Sequence, residues 1–290
     1  MVKRWALWLA LLLCTGCAAQ QPAATPSSSA AAEPTPSASS SSAPASSAPA
    51  SSARDQAAAG FTLVAHRGGS LVYPESSAEA FEAVSKTAFP IETDLRPLRD
   101  GTLVPLHDDT VDRTMSGVTG SPADITLEQW KAAHIKNPRG GAEGSPTTWE
   151  AMLDEYGGRS VLVPEVKDPA IDLAAFADSI LRRGVQDTVI VQSFSYPVAQ
   201  TLAKSGLQVL YLLREGEEPD PAEVRAAGID HVGPNKSIRA DYLRKLKDAG
   251  LTVWPYTVND DATASRLRSD GADGVFTDDP WELSKQLHLG

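Results

Sequence analysis

The fold is indicated most clearly by residues 188–233, TVIVQSFSYPVAQTLAKSGLQVLYLLREGEEPDPAEVRAAGIDHVG. The apolar runs are 188–194, 208–213 and 229–233, and the amphipathic runs between them are 197–205 and 221–227. A short run rich in Val, Ile and Leu predicts a buried strand, whereas an amphipathic run of this length predicts a helix. Strands and helices in strict alternation form βαβ units around a parallel sheet.

The same alternation extends from Phe61 to Thr277. Further strand-like runs are 61–65, 90–95, 161–166, 251–257 and 274–277, and further helical runs are 171–183, 240–249 and 262–269. Glycines follow five of the helical runs, at positions 184, 206, 228, 250 and 271, where helices commonly end in a left-handed residue. Eight strands in about 230 residues predict an α/β fold of the (β/α)8 TIM-barrel type.

One apolar run, Leu103–His107, breaks the alternation. It follows the second strand through the turn sequence Arg99-Asp100-Gly101, which is typical of a hairpin. We therefore predict a small hairpin insertion after the second strand, followed by an irregular region from Asp108 to about Pro146. That region contains the helical fragment Leu127–Ala133.

An open, doubly wound sheet is the alternative fold. It is disfavoured because Gly68-Gly69-Ser70, which follows the first strand, lacks the third glycine of a dinucleotide-binding turn.

The first seventeen residues predict a signal peptide. Lys3 and Arg4 precede nine apolar residues, 5–13, which are too few for a membrane-spanning helix. The following Cys14-Thr15-Gly16-Cys17 resembles the lipobox of bacterial lipoproteins, which implies lipidation of Cys17 and a membrane anchor at the cell surface. The alternative is an ordinary signal peptide cut after a small residue such as Ala19, which would give a secreted protein.

Residues 18–60 consist almost entirely of Ala, Ser, Pro, Gln and Thr, with Glu33, Arg54 and Asp55 as the charged residues. Such a composition predicts a disordered tether, and it separates the leader from a folded domain over 61–290. Both cysteines of the chain lie in the leader, so the exported domain has no disulfide.

The charge balance limits the class of partner. The chain has 26 Lys and Arg against 37 Asp and Glu, a formal net charge of −11. This balance, without basic runs, predicts no nucleic-acid partner, and the sequence gives no indication of an oligomeric state. A hydrophobic content of 42% fits neither an integral membrane protein nor a wholly disordered one.

Acidic residues gather at the carboxyl ends of two predicted strands. Glu92 and Asp94 share one face of the second strand, and Glu165 ends a later one together with Lys167. Three carboxylates at one barrel mouth repel each other unless a cation lies between them. All-oxygen ligands favour a hard divalent ion, so we predict one Ca²⁺ or Mg²⁺.

Ordered motifs make the chain from Phe61 to Pro280 resemble the glycerophosphodiester phosphodiesterase family. The motifs are AHRG (65–68), PESS (74–77), IETD (91–94), DGTLVPLHD (100–108), DRT (112–114), EVK (165–167), QSF (192–194), YTVN (256–259) and GVFTDDP (274–280). A lone His-Arg-Gly would be a weak signal, whereas this series in one order is highly specific.

The resemblance implies roles for individual residues. Two histidines, His66 and His107, would form the general acid–base pair, and Glu92, Asp94 and Glu165 would hold the metal. Glu75 would lie near that metal, either as a direct ligand or in contact with a residue that is a ligand. Ser76 and Ser77 replace the Asn and Thr that follow this acid in the family's motif.

Substrate contacts follow in the same way. Arg67 and Lys167 match the family positions that bind the phosphodiester oxygens. Tyr256, where many members have Trp, would form the aromatic wall for glycerol, with Trp254 on the same strand face. From its place at a strand end, Phe194 would line the pocket, or else pack in the core.

The expected reaction is the hydrolysis of a small glycerophosphodiester to sn-glycerol 3-phosphate and an alcohol. Water or a neighbouring glycerol hydroxyl could attack, and either histidine could be the acid. The alternatives are a related phosphodiesterase acting on lysophospholipids or a glycerol-phosphate wall polymer, a non-catalytic lipoprotein that binds phosphorylated ligands, and a phosphatidylinositol-type lyase.

Overall fold

The computed structural model describes residues 60–289, and the leader and most of the tether therefore lie outside the described residues. Eight parallel strands form the central sheet. They are β1 (Thr62–Ala65), β2 (Ile91–Pro97), β6 (Leu162–Val166), β7 (Ile190–Ser193), β8 (Gln208–Leu213), β9 (His231–Pro234), β10 (Thr252–Val253) and β11 (Gly274–Thr277). Their order, β10-β9-β8-β7-β6-β2-β1-β11, follows the chain except that β11 pairs with β1.

Three backbone hydrogen bonds close the remaining gap between β10 and β11. Asp273 N donates to Val253 O at 3.0 Å, Phe276 N to Pro255 O at 2.9 Å, and Val258 N to Phe276 O at 2.8 Å. The sheet is therefore a nearly closed barrel of eight parallel strands, as the alternation of elements predicts.

Nine α-helices lie in the described part of the chain. They are α1 (Ala78–Ser85), α2 (Leu127–Ala132), α3 (Trp149–Tyr156), α4 (Leu173–Leu181), α5 (Tyr196–Lys204), α6 (Pro221–Ala226), α7 (Ala240–Asp248), α8 (Asp261–Asp270) and α9 (Pro280–Gln286). The sequence pattern did not predict α1, α3 or α9. Helix α8 ends as expected, because Gly271 adopts a left-handed φ of 108°.

The insertion after β2 is confirmed as a hairpin. Strand β3 (Leu103–Pro105) runs antiparallel to β2, with Leu95 opposite Pro105. The irregular region that follows contains a second, two-stranded sheet of β4 (Met115–Ser116) and β5 (His134–Ile135). A small apolar cluster centred on the buried Trp130 holds this region together.

Two layers of apolar side chains account for the rest of the core. The larger layer lies between the strands and the helices around them, and the smaller one fills the barrel interior with residues such as Val163, Leu210, Trp254 and Phe276. Within residues 60–289, no helix has the length and apolar character needed to cross a bilayer.

Candidate active site

A cavity of 220 Å³ opens at the carboxyl ends of the barrel strands. It is lined by His66, Arg67, Glu92, Asp94, His107, Glu165, Lys167, Gln192, Phe194, Leu212, Tyr256, Thr257 and Phe276. The structure thus brings together both predicted histidines, the three predicted metal ligands and both predicted phosphate-binding cations. The carboxyl ends of barrel strands are where enzymes of this architecture carry their active sites.

Strand register places the acids side by side. Asp94 of β2 lies opposite Glu165 of β6, and Glu165 lies opposite Gln192 of β7. Glu92 and Asp94 are each 2% exposed and Glu165 is 6% exposed. The Gln192 side-chain amide donates to Glu92 Oε1 at 2.8 Å, so Glu92 is oriented by a residue of β7, which lies two strands away from β2 in the sheet.

Burial changes the protonation of these carboxyls. Burial and the charge of Asp94 raise the pKa of Glu165 to about 9. Burial also raises the pKa of Glu92, to about 7, against the opposing charge of His66. Burial would raise the pKa of Asp94 too, but the opposing charges of Lys167, His107 and Arg67 outweigh it, so the pKa of Asp94 is lowered.

The acids have the donor chemistry of a hard-cation site. Their ligand atoms are all oxygens, and Asp94 Oδ2 is buried without a hydrogen bond from any described residue. Lys167 Nζ contacts Asp94 Oδ1 at 3.1 Å. In this arrangement no three Asp, Glu, His or Cys side chains of residues 60–289 have their donor atoms placed to hold one ion. Burial and mutual repulsion favour the protonated forms of Glu92 and Glu165, as their raised pKa values show. A divalent cation would take the place of those protons, so this cluster of acids fits such an ion.

His66 is oriented by an aspartate, Asp278, that follows the last strand of the barrel. Its Nδ1 lies 2.6 Å from Asp278 Oδ1. Asp278 follows β11, the neighbour of β1, and also accepts hydrogen bonds from Ser70 Oγ at 2.8 Å and Asn259 Nδ2 at 2.7 Å. Burial lowers the pKa of His66, but Glu92 and Asp278 outweigh it, so the net pKa is raised.

His107 is oriented in the same way by Asp108. His107 Nδ1 lies 2.8 Å from Asp108 Oδ1, and Arg113 donates to both oxygens of Asp108, at 2.6 and 3.1 Å. Burial lowers the pKa of His107 more than Asp94 and Asp108 raise it. The sequence motif contained Arg113, but its contact with the histidine's partner was not predicted.

Glu75 uses both of its oxygens on arginines. Arg113 contacts Oε2 at 2.6 Å and Oε1 at 2.8 Å, and Arg67 Nη1 contacts Oε1 at 3.3 Å. Burial would raise the pKa of Glu75, but the hydrogen bond from Arg113 and the charge of Arg67 lower it. Glu75 therefore links the environments of the two histidines.

Arg67 has a left-handed backbone, with φ 52°. In this conformation its backbone N–H donates to Glu92 Oε2 at 2.7 Å, and its side-chain Nε lies 3.7 Å from Asp94 Oδ2. A left-handed conformation is uncommon for a residue with a side chain, and it is typical of functional sites.

Arg96 is a residue that sequence reasoning missed. It is buried at the end of β2 and donates from Nη2 and Nε to the backbone oxygen of His107, at 3.1 and 3.3 Å. It also contacts Asp109 at 2.5 Å and Asp168 at 3.3 Å. Arg96 therefore holds the loop that carries His107 against the barrel.

The predicted aromatic wall is only partly at the cavity. Phe194 and Tyr256 line it and meet edge to face, with ring centroids 5.6 Å apart. Trp254, predicted as a helper of Tyr256, lies beneath them in the barrel interior, 1% exposed, and packs against His231 and Phe276. Residues two apart on a strand share a face but occupy successive layers, so Trp254 is one layer too deep to line the cavity.

The barrel and the polar cavity at its mouth are those of an α/β-barrel enzyme. The family model for the glycerophosphoryl diester phosphodiesterase family matches residues 66–282. A glycerophosphodiester phosphodiesterase of Caldanaerobacter subterraneus subsp. tengcongensis is 30% identical over 240 residues, which cover 79% of this chain and 98% of the relative. The chain therefore belongs to the glycerophosphoryl diester phosphodiesterase family and is an enzyme of that family.

Solved structures share the fold. A glycerophosphoryl diester phosphodiesterase of Parabacteroides distasonis superposes with a TM-score of 0.69 at 20% identity, covering 83% of this chain and 93% of its own. An Oleispira antarctica phosphodiesterase in complex with the product sn-glycerol-3-phosphate superposes with a TM-score of 0.65 at 21% identity, covering 80% of this chain and 99% of its own.

Proposed function

We propose that the protein hydrolyses glycerophosphodiesters to sn-glycerol 3-phosphate and an alcohol in the 220 Å³ cavity. The observation that carries this proposal is the meeting of two histidines, two cations and three buried carboxylates at one barrel mouth. Membership of the family supports the phosphodiester class, and the product in the Oleispira antarctica neighbour supports the glycerol 3-phosphate half.

Three acids, Glu92, Asp94 and Glu165, would hold one divalent cation, Mg²⁺ or Ca²⁺. When bound, such an ion neutralises charge on the phosphoryl oxygens and thereby favours attack on an anionic diester. Glu75 is the less suitable ligand, because Arg67 and Arg113 already occupy its two oxygens.

Arg67 and Lys167 would bind the non-bridging oxygens of the diester. Both side chains line the cavity and both are directed at Asp94, at 3.7 and 3.1 Å. In this proposal their positive charges would lie where negative charge develops in the transition state, and such pre-positioned charge is a large term in catalysis.

The two histidines would move the protons of the reaction. Each has its Nδ1 against an aspartate, His66 against Asp278 and His107 against Asp108. Only Nε2 of each ring is then left for the substrate. One imidazolium would protonate the leaving alkoxide, while the other imidazole would remove a proton from the attacking water or glycerol hydroxyl, each transfer contributing about 10²–10⁴-fold.

The test is a phosphodiester assay with and without metal. Purified protein treated with a chelator should lose hydrolysis of glycerophosphoglycerol, and titration with Mg²⁺ or Ca²⁺ should restore it, with sn-glycerol 3-phosphate as the product. A Glu165→Gln variant should require more cation for the same rate. Full activity of the chelated enzyme would contradict the metal's role, and release of another phosphate ester would contradict the reaction.

We further propose that the enzyme is exported and anchored to the membrane through lipid on Cys17, with residues 18–60 as the tether. The support is the pattern of the leader alone, since these residues lie outside the described ones. Mass spectrometry of the mature N-terminus should show a lipid-modified Cys17, and a Cys17→Ser variant should leave the membrane fraction. An unmodified N-terminus beyond Ala19 would indicate a secreted enzyme instead.

A further inference from the structure

A second cavity, which we call the arm pocket, adjoins the catalytic one. Its volume is 580 Å³, and it shares Glu165, Lys167 and Phe194 with the catalytic cavity. The catalytic cavity alone, at 220 Å³, is smaller than the pockets of about 300–1,000 Å³ that typically enclose a small ligand. A diester held at the histidines would therefore extend one of its two arms past Phe194.

The arm pocket is lined by two acids, Glu165 and Asp168. Asp168 accepts from Arg96 at 3.3 Å through one oxygen and from the backbone N–H of Ala170 at 2.8 Å through the other. Glu165 lines both cavities, and a cation held in the catalytic cavity would offset its charge. A cationic arm, such as one ending in a quaternary ammonium, would thus have to compete with Arg96 for Asp168 and with the catalytic cation for Glu165.

Arg214 supplies a positive charge on the opposite wall. Its guanidinium lies over the ring of Phe194, 4.8 Å from the centroid, so that ring face is not available to a cationic ligand. Its nearest acid is Glu217, with Nη1 and Oε1 3.6 Å apart, beyond hydrogen-bond distance. The guanidinium N–H groups therefore retain capacity for an anion.

Helix α5 adds a second positive feature. It begins behind the pocket-lining Ser195, which is its N-cap residue and whose side chain makes no capping hydrogen bond. The N-terminus of a helix carries partial positive charge, and its backbone N–H groups favour negative ligands. Together with Arg214, this places positive charge at one side of the pocket, whereas Lys167 is paired with Asp94 at 3.1 Å.

The floor of the pocket is apolar and accommodates the carbon atoms of an arm. Val166 and Ile171 are buried there, and Leu173 and Val198 are partly exposed. We propose that the arm pocket binds the alcohol arm of the diester and selects arms that carry an additional anionic group, a phosphate or a carboxylate. This proposal rests on the proposed function, because it names the substrate class of the same site.

The test compares diesters that differ in the charge of the arm. The probes are glycerophosphoglycerol with a terminal phosphate on the second glycerol, the same arm ending in a carboxylate, unmodified glycerophosphoglycerol, and glycerophosphocholine. The kcat/KM should be highest for the two anionic arms and lowest for choline, and the comparison of phosphate with carboxylate identifies the anion. Since the net charge of the protein would favour the opposite order, this order points to the local pocket.

Variants of Arg214 identify the source of the preference. Arg214→Gln should reduce the anionic-to-neutral ratio of kcat/KM about fivefold, the size expected for losing one charge contact in a solvent-exposed site, and Arg214→Glu should invert the order. Salt should weaken the wild-type preference. Arg182, an exposed cation directly after helix α4, pairs with Asp178. Its variant Arg182→Gln is the matched control and should leave the ratio unchanged.

Direct binding separates this proposal from the proposed function. Calorimetric Kd values for the same diesters should show the same dependence on Arg214. If the diesters bind in a manner that depends on Arg214 but none is hydrolysed, the proposed function is wrong and the proposal for the arm pocket is supported. If diesters are hydrolysed with a charge preference that Arg214→Gln does not alter, or with glycerophosphocholine preferred, the pocket proposal is wrong and the proposed function stands.

Discussion

Each histidine of the site has one ring nitrogen committed to an aspartate, His66 to Asp278 and His107 to Asp108. Such a partner fixes the tautomer and the ring orientation, so that the other nitrogen faces the reaction. The aspartates are themselves held, Asp278 by Ser70 and Asn259 and Asp108 by Arg113. The pairing assigns these aspartates and their partners a positioning role.

Replacing Asp278 with Asn should lower kcat about 100-fold, because the amide neither orients His66 correctly nor stabilises its protonated form. Since Asp278 helps to raise the pKa of His66, the limb of the pH–rate profile that His66 governs should move to lower pH. The control is Ser70→Ala, which removes one hydrogen bond to Asp278 and should have a much smaller effect. An unchanged pH profile in Asp278→Asn would argue for a purely structural aspartate.

Arg113→Gln should lower kcat about tenfold with little change in KM, since it loosens Asp108 and Glu75 without removing a group that touches substrate. Arg113→Lys should recover only part of the rate, because an ammonium cannot reproduce the bidentate contacts of the guanidinium with Asp108 and Glu75. Steady-state kinetics measure both effects. A large increase in KM with unchanged kcat would instead place Arg113 in substrate binding.

The carboxylates predicted from the sequence pattern end strands, whereas the two residues that were missed, Arg96 and Arg113, are arginines that connect segments distant in the chain. Glu92, Asp94 and Glu165 follow from strand periodicity, which fixes both the face and the end of the barrel. Arg96 and Arg113 depend on how the loops after β2 and β3 approach one another. No periodic pattern encodes that approach.

At the scale of elements, short strands and helices place the site, and the local structure explains one of the two departures from the family's motif at 76 and 77. Ser77 is the N-cap of α1 and accepts from the Ala80 N–H at 3.1 Å, a role that Ser and Thr both serve. Ser76 has a left-handed φ of 57°, a conformation that Asn adopts more readily than Ser. Ser77 therefore keeps the function of the Thr it replaces.

Ser77→Ala should reduce the free energy of unfolding by about 1 kcal/mol through loss of this cap. Ser77→Thr is the matched variant and should keep most of the stability, since it retains the accepting hydroxyl. Urea denaturation followed by circular dichroism measures both. Equal stability of the alanine variant and the wild type would show that the cap contributes nothing to the fold.

The alternation of elements predicted the barrel, and the differences lie where local pattern is weakest. Helices α1, α3 and α9 have seven or eight residues and were not predicted, whereas α2 and α6, with six residues each, were, so helix length alone does not explain the difference. The small sheet of β4 and β5 has two residues in each strand and is held by the cluster around Trp130. Periodicity likewise gave the face of Trp254 but not its depth in the barrel.

At the scale of the whole molecule, the buried acids make stability depend on pH and on cations. Folding raises the pKa of Glu165 to about 9 and that of Glu92 to about 7, above the ordinary value of about 4.3. Between about pH 4.3 and the raised pKa of each glutamate, the folded state therefore binds more protons than the unfolded state. The contribution of these two glutamates to the free energy of unfolding is fully present below about pH 4.3 and is lost as the pH rises toward 9.

The metal-free protein should therefore lose thermal stability as the pH rises from 6 to 9, and Glu165→Gln should flatten this slope. Mg²⁺ or Ca²⁺ should raise Tm more at pH 8.5 than at pH 6, because the ion competes with protons for the same carboxylates. Calorimetry at fixed ionic strength measures both. A cation effect that is equal at the two pH values would contradict a site built from Glu92 and Glu165.

The most direct test of the central claim is the rate of sn-glycerol 3-phosphate formation by His66→Gln and His107→Gln, measured with saturating cation and glycerophosphoglycerol. Both variants should fold with a Tm close to that of the wild type, and each should lose at least about 100-fold in kcat, the lower range for one proton transfer. A folded variant of either histidine that retains a rate close to that of the wild type would contradict the two-histidine site at the barrel mouth.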